Sequence, residues 1–104
     1  MVAHYPTYYV YIMSNINHTV FYTGVTNNIK RRVLEHKTGI GSGFTSKYRL
    51  TKLLYYEKFS NINNAIKREK QFKNWHRDWK INIIKEVNPN MEDMALNWFK
   101  NDNI

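Results

Sequence analysis

The sequence predicts an α+β protein with its elements in the order strand, strand, helix, strand, helix, helix. Three observations carry that prediction. Two runs dense in aromatic and β-branched residues, 8–13 and 19–23, flank a loop short enough for a hairpin, and a third such run occupies 50–59. Between and after these runs, apolar residues return at helical spacing behind good capping residues. At 104 residues the chain is most economically one domain, 1–104, with its core over about 8–87.

Pro6 and the polar residues from Ser14 to His18 bound the first strand. Its period-2 pattern sets Tyr8, Val10 and Ile12 on one face and Tyr9, Tyr11 and Met13 on the other. The second strand closes at Gly24, which lacks a Cβ and so permits close approach of another group beside Tyr22. A helix then begins near Asn27 or Asn28, with Ile29, Arg32, Val33 and His36 on one stripe. Arginine is rarely buried without a partner, so Arg32 and His36 either sit at the edge of that stripe, their stems reaching water, or line a cleft. The helix stops near Thr38 and Gly39.

Residues 40–49 read as a loop. Lys47 and Arg49 in it are candidate point charges for a phosphate, and Ser42, Thr45 and Ser46 candidate hydrogen-bond donors. The same composition is also ordinary for a loop.

After the third strand, Ser60 or Asn61 caps a helix whose inward positions are Ile62, Ala65, Ile66 and Phe72. Glu69 shares that stripe, where a carboxylate is costly unless it finds a cation, donors or a metal. Lys67, Arg68, Lys70 and Lys73 offer a salt bridge, while an oxygen ligand facing a cleft is what Mg²⁺ accepts. A further helix is expected to turn Trp79, Ile83 and Val87 inward and Lys80 and Lys85 outward, its tryptophans closing the core rather than stacking on bases. Asn88, Pro89 and Asn90 end it. Met91, Met94, Ala95 and Trp98 fit a short helix or turn at 91–99 that staples onto the body, and the tail from Lys100 to Ile104 is expected to fray.

Sixteen Lys and Arg against eight Asp and Glu leave a formal charge of +8, which favours a polyanionic partner. Because 15% of the residues are aromatic, that charge decorates a packed domain and not a disordered tail. The chain has no cysteine, so disulfides and thiolate chemistry are excluded. Neither a leader pattern at Met1 to Pro6 nor a membrane-spanning run is visible, so a cytoplasmic location without membrane contact is the expectation.

Several of these residues also occur in a familiar arrangement. Val10-Tyr11, then Tyr22-Thr23-Gly24, Arg32 eight positions after that glycine, and Glu69 on the later helix resemble the GIY-YIG nuclease domain. The likeness is greatest to small stand-alone bacterial members, related to the amino-terminal nuclease domain of the excision-repair nuclease subunit. It rests on the runs from Tyr22 to His36 and from Arg68 to Trp75, and extends roughly from Tyr8 to Trp98. Two departures stand out: Tyr9 occupies the usual glycine of the first triplet and Thr23 the usual aliphatic residue of the second. At His36, relatives carry either Tyr or His.

The resemblance implies a small three-stranded antiparallel sheet flanked by helices. It also implies phosphodiester hydrolysis in DNA, more readily than RNA, dependent on one Mg²⁺ or Mn²⁺ held by Glu69. Such chemistry needs an activated water and relief of developing negative charge. Arg32 would grip a non-bridging oxygen with its fixed fork of donors. Tyr11, Tyr22 or His36 would accept the water's proton, and residue types leave all three open. Lys30, Arg31, Lys47, Arg49 and Lys73 are the basic residues expected on the phosphate backbone. A binding module of the same fold with little or no turnover, on DNA or RNA, is the alternative.

Overall fold

The strand from Tyr8 to Ser14 (β1) is buried on both faces, which explains why nearly every residue in it is apolar or aromatic. It is the middle strand of a three-stranded antiparallel sheet in which β2 (Phe21–Thr26) and β3 (Lys52–Phe59) lie on either side of it. Helices α1 (Ile29–Thr38) and α2 (Gly43–Lys47) separate β2 from β3, and α3 (Ile62–Asn74) and α4 (Arg77–Val87) follow. These elements belong to a computed structural model that describes residues 6–40 and 43–100. The amino end, the Gly41-Ser42 pair and the last four residues, including most of the tail expected to fray, lie outside the described residues.

Strand alternation divides the core into two layers. Val10 and Ile12 point into one, with Leu54, Tyr55, Ala65, Phe72, Ile84 and Met91. Tyr11 and Met13 point into the other, with Ile29, Val33, Leu50, Leu53 and Ala95. Helices α3 and α4 therefore cover one face and α1 the other, α3 lying chiefly across β1 and β2. A register shift between Ile12 and Met13 makes Leu54 an extra residue of β3, so Leu54 and its neighbour Tyr55 both reach the first layer.

The helix starts follow the capping logic. Asn28 accepts the Arg31 N–H at 3.1 Å, and Asn61 accepts those of Asn63 and Asn64. Gly39 ends α1 at φ +78°, the left-handed conformation that glycine tolerates best.

Four expectations need correction. The second strand begins at Phe21 and runs on through Gly24 to Thr26, because Gly24 is a mid-strand residue opposite Tyr11 and not a terminator. The 40–49 segment contains α2, closed by backbone bonds from Tyr48 N–H to Phe44 O and from Leu50 N–H to Thr45 O. On α4 the buried residue is Ile84, while Trp79 and Val87 are 55% and 62% exposed. Apolar side chains occur on more than one side of that helix, so spacing alone could not choose its phase. On α3, Ala65 and Phe72 are buried but Ile62, in the first turn, is 46% exposed.

The carboxyl-terminal staple is present, as turns without an α-helix. Met91 joins one core layer and Ala95 the other, so the segment rounds the outer edge of β3. Asp93 secures it by accepting the Leu53 and Ala95 N–H groups, each at 3.0 Å, and pairing with Lys37. Met94 donates its N–H to Leu53 O at 2.8 Å. An edge that would otherwise offer unpaired backbone groups is thus covered. Among the described residues no helix is long and apolar enough to cross a membrane.

Candidate active site

The site is assembled where β1, β2 and α1 meet. Tyr11 projects from the middle strand toward α1, and its ring occupies the space that a Cβ on Gly24 would need: that atom would fall 2.6 Å from the Tyr11 hydroxyl. The close approach anticipated at Gly24 is therefore made by Tyr11. Tyr22, two residues before Gly24, lies on the same sheet face, its ring 6.2 Å from Tyr11 and 5.5 Å from His36.

His36 is 2% exposed, so the edge position is ruled out for it. One ring nitrogen, Nε2, is 2.9 Å from the Tyr11 hydroxyl and the other, Nδ1, is 2.9 Å from Thr45 Oγ1. Burial, and then the charge of Arg32, lower its pKa to about 4 against the opposing pull of Glu35, so the ring is neutral at pH 7. A neutral imidazole has one donor and one acceptor nitrogen, so it serves Tyr11 and Thr45 in opposite senses. Thr45 is itself 1% exposed. It was a candidate phosphate donor in sequence; folded, it faces inward as His36's partner. The signal that could have found this is weak: a threonine in a polar segment looks the same whether it faces water or a histidine.

Arg32 is partly exposed and donates to Glu35 Oε1 at 3.0 Å. Its guanidinium also faces the Tyr11 and Tyr22 hydroxyls. Burial would lower its pKa, but Glu35 and the two phenols outweigh that and raise it. Tyr11 is held protonated: burial and the nearby Tyr22 push its pKa up, with Arg32 opposing. Of the three candidate bases, Tyr11 is 1% exposed and His36 2%, whereas Tyr22 keeps partial access to solvent.

Four of the five predicted residues thus form one cluster. Glu69 is not joined to it by a hydrogen bond or ion pair among the described residues. It lies on α3, which covers the other sheet face, with its side chain 17% exposed and its ion pair made to Lys73 at 3.6 Å. Arg68, another suggested partner, instead holds Glu57 through two bonds of 2.9 and 3.0 Å. Thr23, at the departure in the second triplet, is 4% exposed, and its hydroxyl has no hydrogen-bond partner among the described residues.

A magnesium ion takes oxygen ligands and commonly retains several waters. The Lys73 contact is longer than a hydrogen bond, so the Glu69 carboxylate keeps acceptor capacity and suits such an ion. Among the described residues no three His, Asp or Glu side chains gather. The residues present would offer such an ion one carboxylate. The expected phosphate contacts Lys30, Arg31, Lys47, Arg49 and Lys73 are all exposed.

Comparison with known proteins agrees with this architecture. Residues 7–82 match the GIY-YIG catalytic domain. A UPF0213 protein of Staphylococcus haemolyticus is 35% identical over 79 residues, covering 76% of this chain and 95% of that protein. One from Pediococcus acidilactici is 39% identical over 80 residues, covering 75% and 81%. The solution NMR structure of a UPF0213 protein from Bacillus halodurans superposes with a TM-score of 0.54 at 25% identity, covering 88% of this chain and 97% of that one. With the three-stranded antiparallel sheet, the Tyr11, Tyr22 and Arg32 cluster and a match over most of its length, the chain belongs to the GIY-YIG family.

Proposed function

We propose that the protein is a divalent-metal-dependent endonuclease that hydrolyses phosphodiester bonds in DNA. The observation that carries this reading is the convergence of two phenols, a guanidinium and a neutral imidazole on one sheet face. Arg32 binds a non-bridging phosphate oxygen with the donors that Glu35 leaves over, placing permanent positive charge where negative charge develops. Tyr22, the accessible phenol, receives the proton of the attacking water. Tyr11, His36 and Thr45 form the buried chain behind it that fixes the positions of Tyr22 and Arg32. Glu69 would hold the magnesium or manganese ion, which when bound would neutralise phosphate charge and support the departing oxygen.

One observation favours the second reading, a binding module with little turnover: Glu69 pairs with Lys73 and makes no bond to the cluster among the described residues. Incubation with supercoiled and single-stranded DNA plus Mg²⁺ or Mn²⁺ separates the two. Nicking by the wild type that disappears in Glu69→Ala and Arg32→Ala, with DNA binding retained, is the expected result. Binding without metal-dependent nicking would establish the module. Because Lys73 is 53% exposed, its ion pair contributes less than ~1 kcal/mol, and Glu69→Ala should melt close to the wild type. A large fall in its Tm would assign Glu69 a structural role.

A further inference from the structure

The aromatic rings beside the cluster continue past Tyr22. Its ring centre lies 6.2 Å from that of Phe44, with 34° between the planes, and Phe44 lies 4.9 Å from Tyr48. Tyr22 packs against the core, but Phe44 and Tyr48 belong to neither core layer. They are 46% and 41% exposed. Two large rings this exposed, carried by and just beyond a five-residue helix, mark a contact surface.

Charge accompanies them. Lys47 Nζ sits 5.4 Å from the centre of the Tyr48 ring, and Arg49 follows directly. Both are exposed, and among the described residues neither is in an ion pair with a carboxylate. Beyond Tyr48 a cleft of about 360 Å³ opens between Asn15, Ile16, Asn17, Arg49 and Thr51. A row of rings leading away from a phosphate-binding arginine, with cations beside it, has the composition of a base-stacking track.

The strand state follows from geometry. In a duplex each base face is covered by the next base pair, so a protein ring can stack only on a base that is unpaired or displaced. We propose that Phe44 and Tyr48 form a stacking platform for unpaired bases of a nucleic-acid strand whose backbone crosses Arg32 and Tyr22, with Lys47 and Arg49 on its phosphates. This rests on the nucleic-acid reading of the site and not on hydrolysis. Stacking tolerates every base, so the track confers preference for strand state without preference for sequence.

Fluorescence anisotropy in EDTA tests it without any cleavage. A labelled oligonucleotide of mixed sequence is titrated as a single strand and as a duplex with its complement, at one fixed salt concentration. The wild type should bind the single strand more tightly. Phe44→Leu and Tyr48→Leu keep apolar bulk but lose the ring, and each should weaken single-strand binding roughly 5- to 150-fold, the range of one stacked base. Their duplex affinity should change less than about twofold, and Tyr48→Trp should retain wild-type binding of the single strand. Undiminished single-strand affinity in the leucine variants, or equal losses on both probes, overturns the platform while leaving a DNA-binding site in place. Failure of the wild type to bind either probe overturns the nucleic-acid reading itself.

Discussion

His36 is an imidazole enclosed by a phenol, a threonine and the core, with a cation nearby, and its neutrality is a condition of the fold. Its pKa falls from the ordinary 6.5 to about 4 on folding. The unfolded chain therefore binds more protons between these values, and stability is fully present above about pH 6.5 and lost as pH falls through about 4. At ~1.4 kcal/mol per pKa unit, the full effect is on the order of 3 kcal/mol. Chemical denaturation at pH 7.5, 5.5 and 4.5 should show a slope that His36→Gln flattens; an unchanged slope would place the proton uptake elsewhere. Gly24 is as tightly constrained. A Cβ there would fall 2.6 Å from the hydroxyl of Tyr11, which is fully buried and tied to His36 and so has little room to give. Gly24→Ala should destabilise by about 1–3 kcal/mol, read as a fall in Tm, and should also disturb the site.

The 91–99 segment shows how an element without regular secondary structure can still complete the sheet. Asp93 serves two backbone N–H groups and one ammonium, all at the outer edge of β3. Asp93→Ala leaves the partly buried Leu53 N–H without its acceptor, and should cost about 1–3 kcal/mol and speed amide exchange at Leu53. Exchange unchanged at that amide would show the edge to be protected by other contacts. Helix α4 is likewise oriented by its place in the chain. Its apolar residues Trp79, Ile81, Ile83, Ile84 and Val87 offer more than one inward stripe, and the path of the chain out of α3 decides that Ile84 meets the core.

For the whole molecule, the surplus of positive charge predicts that binding is driven in part by counterion release. DNA affinity should fall at least roughly tenfold between about 50 and 200 mM salt, since only a few phosphate contacts produce that slope. An affinity indifferent to salt, measured by anisotropy, would show that exposed Lys30, Arg31, Lys47 and Arg49 do not meet phosphates. The two-layer arrangement also fixes which element carries each candidate residue: Tyr11, Tyr22, Arg32 and His36 share the α1 side, while Glu69 is carried on the helix that covers the other side.

Local physics made much of this legible in the sequence. Alternation in β1 assigned its residues correctly to two faces, capping chemistry narrowed the helix ends to Asn27 or Asn28, Gly39, and Ser60 or Asn61, and the ordered tyrosine, glycine and arginine pattern led to the family. Gathering depended on long-range packing, which spacing along one element does not encode. Only the tertiary structure decided that Gly24 makes room for Tyr11, that Thr45 turns inward to His36, and that Phe44 and Tyr48 line up beyond Tyr22. The contacts of Tyr11 with Gly24, His36 with Thr45 and Tyr22 with Phe44 join residues from different elements, so the sequence could supply the parts while the fold alone determined which of them touch.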